Sequence, residues 1–182
     1  AAIAIPNFLQ YQLKSRQSEA KVNLNAIKTS NIAFQAEKSC YIGIASMAAL
    51  GAVPALNTKT LPVPWPSTSP TGAYPATVIP PGDGFCVAPT TAGAVVTAGR
   101  FTDIGFIASG NTAFQYISAP YAATPAPVAS CVLGPAASPG AFVAAATGFV
   151  ATASSNLDGD GALSFWGSSS DQGSQNCTDG VY

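Results

Sequence analysis

A chain of 182 residues is long enough for one domain with a real core, burying roughly 70% of the surface its unfolded form exposes. It is 48% hydrophobic but only 8% charged, against a usual charged share of about 25%, so the surface is largely neutral, and 34 residues are alanine, which adds little burial energy each. A net charge of −1 excludes the electrostatic footprint of a nucleic-acid binder, and the absence of histidine excludes Ser-His-Asp and Cys-His nucleophile systems, histidine general bases and His-containing zinc sites.

The charge is unevenly placed. Lys14, Arg16, Glu19, Lys21, Lys28, Glu37 and Lys38 give the first 38 residues a net charge of +3, whereas residues 158–182 carry Asp158, Asp160, Asp171 and Asp179 and no basic residue. In the basic segment Leu13, Ala20, Leu24, Ile27 and Phe34 recur at spacings of seven, four, three and seven. One apolar stripe with Lys, Gln, Ser and Glu elsewhere predicts an amphipathic helix over about residues 7–38. Pro6 suits its first turn or a kink, since proline lacks the amide donor and keeps the preceding residue out of the helical region. Residues 1–5, Ala-Ala-Ile-Ala-Ile, have no polar face; they are far short of the about 20 residues that span a bilayer and suit the end of a longer apolar segment.

After Cys40 the texture changes to short apolar runs broken by Pro, Gly, Ser and Thr, as in Leu61-Pro-Val-Pro-Trp-Pro66 and Ile79-Pro-Pro-Gly-Asp83. Such punctuation predicts an excursion of short elements over residues 42–100, with its prolines away from central strands. Strands are predicted over about 112–118, 141–153 and 161–166, where Phe114, Tyr116 and Ser118 alternate with Ala113, Gln115 and Ile117, and Leu163 and Phe165 with Ser164 and Trp166. One long helix followed by a small antiparallel sheet is an α+β arrangement.

Four cysteines, Cys40, Cys86, Cys131 and Cys177, form no C-x-x-C pair, which disfavours zinc ribbons and thioredoxin-type motifs and favours structural disulfides in an oxidising compartment. Three connectivities are open. In a simple antiparallel meander the start of the second strand lies beside the end of the third, which brings Cys131 towards Cys177 and leaves Cys40 to pair with Cys86, each bridge closing a loop worth roughly 4 kcal/mol by loop-closure entropy. Asn156-Leu-Asp158-Gly-Asp160-Gly161 has oxygen-bearing side chains at alternate positions and a glycine for a sharp turn. Asn156, Asp158 and Asp160 are therefore candidate calcium ligands; the position of the closing glutamate of an EF-hand is Gly167, and the same residues equally suit a tight turn between the last two strands. Asn176-Cys-Thr178 is an N-glycosylation triplet, Ser67-Thr-Ser-Pro-Thr71 a candidate for O-linked sugar, and Trp65, Trp166, Tyr74, Tyr121 and Tyr182 are aromatic residues for core packing or for sugar and fibre contacts. No glycine-rich phosphate loop follows a strand, and Asp83 and Asp103 have no carboxylate nearby in sequence for glycoside chemistry, so the reading is not an enzyme.

The N-terminal run Ala1-Ala-Ile-Ala-Ile-Pro-Asn-Phe-Leu-Gln-Tyr-Gln-Leu-Lys-Ser-Arg-Gln-Ser-Glu-Ala-Lys21 closely resembles the second part of the N-terminal helix of type IV pilins and related pseudopilins. Ile104-Gly-Phe106 before Asn111-Thr-Ala-Phe-Gln-Tyr116, and then Phe149 through Asn156-Leu-Asp-Gly-Asp-Gly161, resemble the places where a subgroup of major pilins has its first strand and its last two. Residues 42–100 and 120–140 resemble nothing alignable. Family members begin with a methylated aromatic residue, a glutamate and about twenty apolar residues. None of that precedes Ala1, so the resemblance implies a truncated subunit with residues 1–9 as the stub of the missing segment.

The resemblance implies one pilin domain over 1–182: helix 1–38, excursion 39–110, sheet 111–167 and a disulfide-tied loop 168–182. Its function is then structural: the subunit of a type IV pilus, an extracellular fibre for adhesion and twitching motility, anchored in the inner membrane before assembly through the missing segment. Its partners are further copies of itself and the pilus assembly machinery, with no cofactor unless calcium binds and no nucleic acid through this domain. Ile3, Ile5, Phe8, Leu9 and Leu13 are the expected subunit-packing residues, and the basic helix and acidic tail complement one another between neighbouring heads. The alternatives are the major pseudopilin of a type II secretion system, for which tight calcium binding is the discriminator, and an extracellular carbohydrate-binding module.

Overall fold

No glycine and only Pro6 interrupt the segment that forms helix α1, Ala4–Lys38. Pro6 lies near the start of the described helix. The helix stops at Ser39, which takes a left-handed φ of 62° and donates its N–H to the Gln35 carbonyl at 2.7 Å, closing one of the open C-terminal carbonyls. The computed structural model describes residues 4–44, 57–65, 101–121 and 147–178.

Among the described residues six strands follow: β1 Val63–Pro64, β2 Asn111–Thr112, β3 Gln115–Tyr121, β4 Gly148–Ser155, β5 Ser164–Ser169 and β6 Gln175–Asn176. β3 to β6 form an antiparallel meander in sequence order, and β1 pairs with β2 in a separate two-stranded ribbon. The molecule is α+β, one long N-terminal helix against antiparallel sheet, as its periodicities predict. Pro120 is accommodated because β3 is the edge of the meander, and Pro64 because its ribbon has only two strands.

Period-2 alternation and the helical stripe meet in one core. Tyr116 and Ser118 of β3 and Phe149, Ala151 and Ala153 of β4 are fully buried, as are Ala20, Leu24 and Ile27 of the helix, with Phe34 nearly so and Leu13 packed partly against them. Burying a leucine or isoleucine of this kind contributes about 1.5–3 kcal/mol each. A satellite cluster extends this core under the ribbon: Trp65 packs its ring 5.6 Å from Phe101, 5.2 Å from Phe106 and 6.1 Å from Tyr116. Trp65 is therefore a buried residue rather than a surface aromatic, and it fastens the excursion to the sheet.

The strand boundaries differ from expectation for identifiable reasons. The stretch 112–118 splits at Ala113, whose N–H donates to the Glu19 carboxylate instead of to a neighbouring strand. Residues 161–166 shift to Ser164–Ser169, because the Asp160 carboxylate holds the Ala162 N–H in the preceding turn. Of 141–153 the structure describes a strand from Gly148, residues 141–146 lying outside the described residues. Ile104-Gly-Phe106 is not a strand but the end of a turn, with Gly105 at φ 74° and the Phe106 N–H on the Phe101 carbonyl at 2.8 Å. The sheet also continues past residue 167, since β6 adds a short fourth strand.

Candidate functional site

Helix α1 carries three differently equipped faces. The inner stripe is the core just described, with one departure from apolar pattern: Asn31, between Ile27 and Phe34, is fully buried and donates to the Ile27 carbonyl at 3.1 Å and the Ser118 hydroxyl at 3.3 Å. The outer face is a second seam. Phe8, Tyr11, Ser15, Ser18, Val22, Ala26, Thr29 and Ala33 follow one another at spacings of three and four, every one is exposed, and none is charged. Phe8, Tyr11 and Val22 stand out at 61%, 73% and 65% exposure. The third face is a flank on which Lys14, Lys21 and Lys28 recur every seven residues.

Of the expected packing residues, Phe8 and Leu9 are exposed at 61% and 52%. Leu13 instead packs partly on the molecule's own core, because it falls on the inner stripe seven residues before Ala20. Ile3 lies outside the described residues, and Ile5 is placed in the helix backbone. Among the described residues no helix is long and apolar enough to cross a membrane.

Two polar clasps tie the helix to the sheet. In the first, half-buried Glu19 accepts the Tyr116 hydroxyl at 3.2 Å and the Ala113 N–H at 3.2 Å, while Asn23 donates its amide to the Tyr116 oxygen at 3.0 Å. Burial pushes the Glu19 carboxyl above its ordinary range, against the lowering effect of its hydrogen bonds and of Arg16. Burial and the neighbouring Glu19 charge push the Tyr116 phenol up, so it stays a donor. In the second clasp, the Gln172 carbonyl accepts the Lys28 ammonium at 3.1 Å and the Ser169 N–H at 3.1 Å, and the Ser174 N–H donates to Asn25 at 3.4 Å. The loop between β5 and β6 thus meets the basic helix inside one molecule.

The Asn156–Asp160 motif is a turn whose side chains serve its own backbone. Asn156 is fully buried; its oxygen accepts the Gly159 N–H at 2.7 Å and its amide donates to the Asp160 carbonyl at 2.8 Å. Asp158 accepts the Asp160 N–H at 3.3 Å and Asp160 the Ala162 N–H at 2.7 Å, leaving these two carboxylates exposed. The turn also brackets the excursion: Asn57 donates to the Asp160 carbonyl and Thr60 to the Asn156 carbonyl, both at 2.6 Å, and Gly159, at φ 87°, lies against the Lys59 backbone. Among the described residues no three His, Cys, Asp or Glu side chains group as a metal site.

Cys40 and Cys177 are both disulfide-bonded; the Cys40–Cys86 and Cys131–Cys177 pairing falls on Cys86 and Cys131, outside the described residues. Cys177 donates its N–H to the Phe165 carbonyl at 2.8 Å, so β6 carries it back beside the beginning of β5. In the triplet at Asn176, the asparagine oxygen accepts the Thr178 N–H at 3.0 Å and the Thr178 hydroxyl accepts the Phe165 N–H at 2.8 Å, so both side chains work as turn and strand-end contacts. Tyr74, Tyr182 and residues 67–71 lie outside the described residues.

Compared with known proteins, the chain is 52% identical over 46 residues to the type IV major pilin protein PilA of Myxococcus xanthus (strain DK1622). That stretch is 25% of this chain and 21% of the length of this curated relative. No family model matches the chain, and no solved structure matches it.

Proposed function

We propose that this chain is the helix-and-head portion of a type IV pilus subunit, a structural protein that polymerises through α1 and presents its sheet to solvent. The observation that carries this reading is the uncharged, exposed seam along the outer face of α1, on a helix whose opposite face is already buried in its own sheet. The outer face of a surface helix is normally polar or charged, whereas this one leaves Phe8, Tyr11 and Val22 exposed. Spacings of three and four with small residues at Ser15, Ser18, Ala26 and Ala33 suit close helix-to-helix packing. The stretch shared with a type IV major pilin supports the same reading. The native subunit is then held in the inner membrane before assembly, handled by a pilus assembly machinery, and displayed as a surface fibre for adhesion and motility.

The test is immunogold labelling, with antibody raised against this chain, of cells expressing its full-length gene. Labelled surface fibres that disappear on gene deletion are expected; label confined to the cell body would overturn the assignment.

A further inference from the structure

We infer that the lysine flank of α1 is a docking edge for the Asp158–Asp160 turn of a second copy of this chain, an inference that rests on the homopolymer reading above. Lys14 and Lys21 are exposed, lie about 10.5 Å apart along the axis and drift only about 20° around it, so they present two charges on one line. Neither has an ion pair among the described residues. Lys28, the third on the line, is already held by the Gln172 carbonyl of its own molecule. The helix's two carboxylates cannot serve this edge: Glu19 and Glu37 are five turns apart on the opposite flank, Glu19 is bound by Tyr116 and Ala113, and Glu37 pairs with Lys38 at 2.7 Å.

If α1 packs through its outer seam, the lysine line lies at the rim of that contact, the place where charged pairs set partner and orientation. The complementary charge must then come from elsewhere in the partner copy. Among the described residues outside the helix, Asp103 has an interaction of its own, and Asp171 stands singly next to the Gln172 carbonyl that Lys28 holds. Asp158 and Asp160 remain, both exposed, two residues apart, each using one oxygen in the turn and keeping the other for a partner. Their α-carbons are at most about 7 Å apart, so two flexible lysine side chains on a 10.5 Å rise reach both together. Lys59 runs beside the turn through its backbone and pairs with neither aspartate.

The test is a double-mutant cycle in full-length subunits on cells, reading sheared fibre per cell at physiological and high salt. K14Q/K21Q and D158N/D160N remove charge while keeping helix propensity and the turn's acceptor oxygens, and thermal melts of the purified chains check that both fold. Each pair is expected to lower fibre yield about fivefold, as two exposed pairs of modest strength do, and to abolish its loss at high salt. The quadruple variant is expected to fall no further than either pair alone, since the two sets act on the same contact. Losses that multiply in the quadruple variant, a loss confined to the lysine pair, or no loss at all would each overturn the pairing. Wild-type cells without labelled fibres would overturn the pilus reading and this contact with it.

Discussion

Glu19 is the residue at which helix and sheet are most directly joined, and its ionisation is therefore linked to stability. Its carboxyl is raised in the folded chain, chiefly by burial, so folded protein holds the proton more tightly than unfolded protein does. Its contribution is thus greatest below the unfolded value of 4.5 and is lost as pH rises through the higher folded value. Glu19→Gln keeps an oxygen for Ala113 and Tyr116 without a buried charge. We expect the variant to melt above the wild type at pH 7 and to match it near pH 4, in melts compared across that range; a gap that widens towards acid would refute the linkage. Nothing in the sequence singled out Glu19, because its partners are 94 and 97 residues away. Asn31 was hidden for the complementary reason: a polar residue at an inner-stripe position reads as a break in periodicity, and only contact with Ser118 makes it part of the core.

At the scale of elements, α1 was legible because Ala20, Leu24, Ile27 and Phe34 keep helical period over four turns, and burial follows that period. Leu24→Ala should cost about 2–5 kcal/mol of unfolding free energy by denaturant titration, since the side chain is fully enclosed between helix and sheet. The turn at Asn156 was legible in composition, but its second role was not. Gly159 combines a positive φ with a virtual Cβ only 3.2 Å from the Lys59 backbone nitrogen, and neither property follows from an Asp-Gly-Asp-Gly string. Gly159→Ala is expected to destabilise by about 1–3 kcal/mol and to raise hydrogen exchange at Asn57 and Thr60, whose N–H groups the turn holds. Exchange unchanged at those two amides would mean that the bracket is incidental. The strands slipped by a few residues from their predicted ends because side chains, not strand partners, take the N–H groups of Ala113 and Ala162.

For the whole molecule, the sparse charge and the two-faced helix belong together: one face of α1 is committed to its own sheet, and the other is left uncharged and exposed. Val22→Asp changes an exposed side chain, so we expect stability to move by no more than about 0.5 kcal/mol while fibres labelled by antibody against this chain are lost. Stability and fibres both unchanged would remove the seam from assembly. The basic helix and acidic tail, separate in sequence, partly meet inside one molecule through Lys28 and Gln172, whereas Lys14, Lys21, Asp158 and Asp160 are the charges of the contact proposed with another copy. By itself the sequence determined the helix, the α+β class, the three principal strands and the inner stripe, because local periodicity and turn chemistry act over neighbouring residues. Only the tertiary structure decided that Trp65 is core, that Asn156 is a buried bracket and that Glu19 is a clasp. Each of those roles is created by a residue distant along the chain, Phe101 for Trp65, Thr60 for Asn156 and Tyr116 for Glu19, and packing rather than local propensity brings it within reach.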